Sequence, residues 1–348
     1  MTTTTHVAQP TLSDLVAITA ERASELDAGN LDVRADISRY GAAGFFQSAR
    51  RHDGLTELIT TIEQTATASL AVGFSLWAHT MAVLYLAHNA EPARESLLQD
   101  LMRGDRPGVT AMASGFKQVA GLGRVPVIAE DSAHDLRLSG PIHWASNVFH
   151  DSLIVLPARR VDGTTLVAVI GASSPGVTIN PAPALMALGA TASTSLRLDN
   201  VRVRPEQVLT TDLESFVGAI RPTFLLLQSA FCVGVGTAAL TGSELYLGNL
   251  AELFGDERSV VGERLRSLRT TLYTRSAQAH TTPISDIIRL RLDAATAAVQ
   301  ATRLESTLAG GAGYATESAA NRRFREAAFL PIQSPSEGQL RWELSRSA

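Results

Sequence analysis

Residues 138–159, LSGPIHWASNVFHDSLIVLPAR, hold the side chains best suited to recognising a ligand. Two apolar runs, with the β-branched and leucine content of half-buried strands, flank a polar loop carrying Trp144, Ser146 and Asn147. Hydroxyl, amide and indole donors on one loop suit a flat aromatic ligand. Residue types alone leave a second reading open, in which Trp144 packs between sheet and helices with its N–H satisfied locally. The other reactive types are dispersed. His79, His143 and His150 have no His or Cys at ligand spacing, so no metal is expected. Cys232, in the apolar FCVGVGTAAL, reads as core. Gly310, Gly311 and Gly313 in AGGAGY suit a turn that ends a helix, and Glu337 in PSEGQLRWEL suits a solvated acid opening a terminal helix. Asn321, Arg322, Arg323 and Arg325 read first as a solvated or intersubunit helix face and second as anion holders.

The elements that must position these residues follow from two changes of hydrophobic period. Residues 11–28 start with an N-cap before Leu12, Leu15, Val16 and Ile18 and end near Gly29. Residues 32–40 make a second helix, and 55–89 one long helix or two broken near Gly73, followed by a helix over 94–103. Between 105 and 209 the period shortens. VTAMAS, DLRLSG, SLIVLPARR, TTLVAVIG, VTIN and STSLRLDNVRV are strand-like runs punctuated by Gly, Pro and Asp. Helical periodicity then returns over 214–253, 258–281 and 284–309, with a glycine turn and a short arginine-rich helix after it.

At 348 residues the chain is long enough for two or three structural units sharing a large core. Thirty Lys and Arg against 34 Asp and Glu leave no large positive field, so nucleic acid is not expected as a partner. One cysteine excludes an intrachain disulfide and fits a reducing cytoplasm. MTTTTHVAQP lacks a basic then apolar pattern and reads as a loose terminus, and the apolar run 66–90 is interrupted by Ser75, His79 and Thr80, so no membrane span is expected.

Helices, a compact β unit, then long helices again is an uncommon order, and here the residues reach a resemblance. HTMAVLYLAHNAEPARESLLQDLMRG, IHWASN, ALMALGATASTSLRLDNVRVRPEQVL, AGGAGY and FREAAFLPIQSPSEGQLRWEL resemble, in order and over almost the whole length, segments of the acyl-CoA dehydrogenase family of flavoproteins. The resemblance implies an α+β, mainly α fold: an N-terminal helical domain (1–104), a middle β-barrel domain (105–212) and a C-terminal four-helix bundle (213–348). It also implies FAD between the β domain and the C-terminal helices, a small or carrier-bound acyl substrate, and a homodimer or homotetramer.

By position, Trp144 and Ser146 match family residues that pack on and hydrogen-bond the isoalloxazine ring, and Ser114 matches a threonine on its pyrimidine side. A hydroxyl near N5 can stabilise charge arriving with a hydride. Gly310, Gly311 and Gly313 would let a backbone turn approach the diphosphate in a neighbouring subunit. Phe254 and Gly255 keep a family Phe-Gly pair, but Asn249, Leu250 or Ala251 stands where the family has an arginine reaching that diphosphate. Such a bond contributes roughly 1.5 to 3 kcal/mol, so its loss weakens flavin binding by one or two orders of magnitude, with Arg258 placed to compensate. SGFKQVAGLGRVPVI also replaces the segment that holds diphosphate and thioester, which counts against acyl-CoA.

Two alignments compete for the catalytic base. One places Ser334 at the position of the family's glutamate; the other, with a three-residue deletion, places Glu337 there, with Gln339 following near the cofactor. Glu337 supports α,β-desaturation by proton abstraction. Ser334 suits a flavin-dependent monooxygenase, since an unactivated hydroxyl is a poor proton acceptor. A third reading is a decayed flavin site in a non-redox enzyme or binding protein.

Overall fold

A capping box starts the first helix: the Thr11 hydroxyl accepts from the Asp14 N–H, and the Asp14 carboxylate accepts from the Thr11 N–H. The computed structural model describes residues 9–88, 91–132 and 134–346. The stretch 1–8, read as a loose terminus, lies outside the described residues, as does position 89, the expected end of the long helical run.

The N-terminal helices are α1 (Leu12–Asp27), α2 (Arg34–Ala42), α3 (Leu55–Ala68), α4 (Leu70–His88) and α5 (Glu95–Met102). The break inside 55–89 falls at Ser69, whose backbone is extended (φ −155°), rather than near Gly73. Gly73 serves packing instead, because a Cβ there would lie 2.8 Å from the Ala66 Cβ of α3. Helix α4 is apolar on every side and long enough to cross a membrane by composition, yet 89% of its apolar window is buried inside the protein.

The middle unit holds β1 (Gly108–Thr110), α6 (Ala113–Val119), β2 (Ile128–Ser132), β3 (Asp135–Ala145), β4 (Leu153–Arg160), β5 (Thr165–Gly171), β6 (Val177–Ile179), β7 (Thr194–Val203) and β8 (Val208–Thr210). The strands form one mixed sheet in the order β6-β7-β3-β2-β4-β5-β8, with β1 also on β4. One edge of β4 is shared, both in parallel: β1 takes Leu153 to Val155 and β2 takes Arg159 and Arg160. VTAMAS is not all strand. The chain leaves the sheet after the Ala111 N–H donates to the Val155 carbonyl (2.9 Å), and Ser114 enters the first turn of α6. The half-exposed β2 carries Glu130, Asp131 and Ser132, a polar content that hides it from periodicity.

The C-terminal unit has three long helices, α7 (Leu213–Leu247), α8 (Ala251–Ser276) and α9 (Ile284–Ala309), closed by short α10 (Gly311–Tyr314), α11 (Ala319–Ala327) and α12 (Glu337–Arg346). Gly248, at φ +36°, separates α7 from α8 earlier than the periodicity suggests. Helix α7 packs against α9 and α3. Its approach to α3 depends on Gly234, where a Cβ would lie 2.3 Å from the Glu63 carbonyl oxygen. Cys232 of α7 is fully buried, and burial pushes its thiol up to about 11.

Helix α11 is fixed by ion pairs within the chain: Arg325 reaches both carboxylate oxygens of Asp27 (3.0 and 2.5 Å), Arg323 pairs with the buried Glu305, and Arg322 donates to the Ala68 carbonyl (3.0 Å). These arginines are therefore not a solvated face. Glu326, from the same helix, is buried against the start of α4, and that burial pushes its carboxyl up to about 7 against the pull of Arg322. Between its ordinary value of 4.5 and 7 the folded chain keeps a proton that the unfolded chain has lost, so its stabilising contribution is full below 4.5 and falls as pH rises through 7. Glu326→Gln removes the ionisation while keeping shape. Urea unfolding should show the variant more stable than the parent by about 1 to 3 kcal/mol at pH 8, with no gain at pH 4.5.

Candidate functional site

A cavity of about 670 Å³ opens where the sheet, α4, α6, α7 and the strap after α11 meet. Strand β3 delivers Trp144 to its rim with the indole 59% exposed, so the ring has an uncovered face. Phe74 and Trp77 of α4, Phe224 of α7 and Phe329 of the strap make the apolar wall; their rings contact one another at 4.9 to 5.3 Å. Ser114, Ser146 and Thr110 add hydroxyls.

Ser146 belongs to a relay. Its Oγ lies 2.6 Å from Ser193 Oγ, which lies 2.7 Å from Thr191 Oγ1, which donates to the Leu188 carbonyl (2.7 Å). Because the Thr191 proton goes to a carbonyl, Ser193 donates to Thr191 and Ser146 donates to Ser193. The Ser146 oxygen therefore offers lone pairs to the cavity. Asn147, beside it, turns the other way: it is fully buried at φ +62°, and its Nδ2 donates to the carbonyls of Ser75 (2.9 Å) and Gly108 (3.2 Å). It anchors the loop and does not line the cavity.

Glu337 does not point into the cavity. Its carboxylate pairs with Arg341 one turn on (2.7 Å), with side chains 37% and 70% exposed, and Ser334 lines the wall instead. The reason is the path of the strap: Gln228 of α7 donates to the Ser334 carbonyl (3.0 Å), which holds 333–334 against the cavity before α12 turns outward. No Asp or Glu stands among the described lining residues. Gln339 is buried away from the cavity and donates to Glu343 (3.0 Å). Phe254 sits on α8, Gly310 caps α9, and Gly311 and Gly313 lie in α10, all outside this cavity. Gly310, at φ +56°, stops α9.

The lining cations are Lys117, Arg124 and Arg325. Arg325 is already saturated by Asp27, Asn321 and the Met186 carbonyl, whereas Lys117 and Arg124 are exposed at the mouth with no ion pair among the described residues. Arg258, the candidate to replace a missing diphosphate contact, is held by Ser243 (3.2 Å) and Glu244 (2.8 Å). His143 reaches the rim. His79 is buried: its Nε2 donates to the Leu101 carbonyl (2.8 Å), its Nδ1 accepts from the Gly108 N–H (2.8 Å), and burial pushes the ring down to about 4. Sequence reading missed Thr191, Ser193, Gln228, Arg291 and Gln333, none of which carries a local signal.

No protein-family model matches the chain, and no curated protein sequence matches it. Solved structures do resemble it. The glutaryl-coenzyme A dehydrogenase in its glutaryl-CoA complex matches with a TM-score of 0.86 at 18% identity, over 96% of this chain and 94% of that one. PigA with FAD and proline matches at 0.83 and 16% identity, over 98% of each chain. The nitrososynthase from Micromonospora carbonacea var. africana matches at 0.80 and 16%, over 97% of this chain and 94% of that one. The chain has the acyl-CoA dehydrogenase fold.

An exposed ion pair of this kind is worth little. Glu337→Gln should accordingly shift the denaturant midpoint by no more than about 0.5 kcal/mol in stability and leave ligand binding in the cavity unchanged. A loss of binding in that variant would show a role for Glu337 in the cavity.

Proposed function

We propose that the protein is a flavin-dependent oxidoreductase that acts without a carboxylate base, in the manner of an oxygen-using monooxygenase rather than an acyl-CoA desaturase. The observation that carries this reading is the wall at 333–334, where an amide and a hydroxyl stand and no carboxylate lines the cavity among the described residues. Removing a proton from a carbon acid needs a positioned base near its working pKa, and a serine hydroxyl is not one.

The residues fit FAD. The uncovered face of Trp144 offers a stacking surface, Ser114 and Ser146 offer polar contacts, and the volume falls within the range of cofactor pockets. Lys117 and Arg124 supply the cations that a diphosphate needs near the mouth. Bound flavin would supply hydride acceptance and, once reduced, electrons for dioxygen. Ser146, with its proton committed to Ser193, would accept from a ring N–H, and the aromatic wall would keep water from the reacting face.

We also propose a homo-oligomer. Leu245, Leu253 and Val260 are exposed by 82%, 76% and 65% on α7 and α8, a row too apolar for a solvated face. Light scattering at micromolar concentration should report a dimer or larger, and the double variant Leu253→Arg, Val260→Arg should shift it towards monomer. A monomeric parent protein would remove this interface.

Titrating FAD into the flavin-free protein should give a saturable change in the visible flavin spectrum. Trp144→Ala should weaken uptake by roughly tenfold, the value of a lost aromatic stack. A chain that leaves the flavin spectrum unchanged is not a flavoenzyme.

A further inference from the structure

Arg291 of α9 is 2% exposed and forms no ion pair among the described residues. Its hydrogen bonds all go to neutral acceptors: Nε to Gln228 Oε1 (3.1 Å), and Nη2 to the Leu330 carbonyl (2.9 Å) and to Gln333 Oε1 (3.1 Å). A guanidinium only donates, so it dictates how both amides are turned. Gln228 must point its NH₂ at the Ser334 carbonyl, where the distance is 3.0 Å. Gln333 must point its NH₂ away from Arg291. That Nε2, and the hydroxyl oxygen of Ser334, are buried at the cavity wall with no hydrogen-bond partner.

Two buried donors without a protein partner, backed by a buried cation with no ion pair among the described residues, are costly to leave unpaired. Both costs are relieved by the same group, an anionic oxygen acceptor. Phe231, whose ring lies 5.9 Å from the Arg291 guanidinium carbon, closes another side of the cation without supplying negative charge. Nor can Arg325 compete for such an anion from across the wall, since Asp27 neutralises it.

We propose that Gln333 and Ser334, backed by Arg291, form an anion-accepting subsite that holds a carboxylate oxygen of the substrate. The subsite rests on reading the cavity as the place where substrate meets flavin. It deepens that reading by giving the substrate class, a small carboxylate, and by giving the wall a binding role in place of proton abstraction.

The test uses FAD-loaded protein and three probes built on the same four-carbon chain: butyrate, butyramide and butylamine. Each is titrated at pH 7 and followed by the flavin spectrum and by Tm. Butyrate should bind at least about tenfold more tightly than either of the others, the margin expected for a charge-assisted hydrogen bond. Gln333→Glu gives Arg291 a carboxylate of its own and should erase that preference; Ser334→Ala, a milder change that leaves the arginine network intact, should reduce it severalfold. Butylamine binding as tightly as butyrate would overturn the subsite. So would an unchanged preference in both variants, or butyrate acting only by expelling FAD, which would assign the donors to the flavin. Should the protein take up no FAD, the redox reading fails first, and the Tm of the flavin-free chain with the same probes still decides whether carboxylate is preferred.

Discussion

The site depends on one buried side chain, the amide of Asn147. Its two N–H bonds join the carbonyls of Ser75 on α4 and Gly108 on β1, while its own backbone N–H donates to Thr191 (2.8 Å) and its carbonyl accepts from Ser152 (2.7 Å). Helix, sheet edge and two loops thus meet on one residue. Asparagine tolerates the left-handed backbone needed there better than most residues, and each bond left unmade in this buried position would cost about 1 to 3 kcal/mol. With Asn147 turned inward, Trp144 at the end of β3 and Ser146 just after it are left lining the cavity.

From that anchor the cavity reads as a junction with an imposed polarity. The relay from Ser146 to Leu188 runs its protons away from the cavity, so this wall accepts. The network around Arg291 runs the other way: donor-only chemistry at its centre turns Gln333 so that its free donor faces outward from the arginine. Between them lie aromatic rings and, among the described residues, no acid. Deprotonating a carbon needs a positioned acceptor; the unpartnered donors of Gln333 and Ser334 suit a negative oxygen instead.

Distant ion pairs keep the strap in place. Arg325 ties α11 to α1 through Asp27, and Arg323 ties it to α9 through Glu305. Glu326, whose burial favours the neutral carboxyl, seals the same helix against α4. A strap so held can present Gln333 and Ser334 at fixed positions even though its own residues form little regular structure.

The sequence by itself determined the order of helical and strand-rich segments and the core position of Cys232, but left Trp144 open between a ligand face and packing between sheet and helices. The first two follow from local pattern, because period and residue type report one-sided burial and strand character directly. It also left Glu337 and Ser334 as rivals, and it read Asn321, Arg322, Arg323 and Arg325 first as a solvated or intersubunit face and second as anion holders. Only the tertiary structure decided these. Whether a loop side chain faces a cavity depends on partners far along the chain, and here Gln228, 106 residues before Ser334, sets the path of the strap. The same is true of Asp27, 298 residues from Arg325, and of Arg291, which turns Gln333 from 42 residues away. No window of neighbouring residues carries that information.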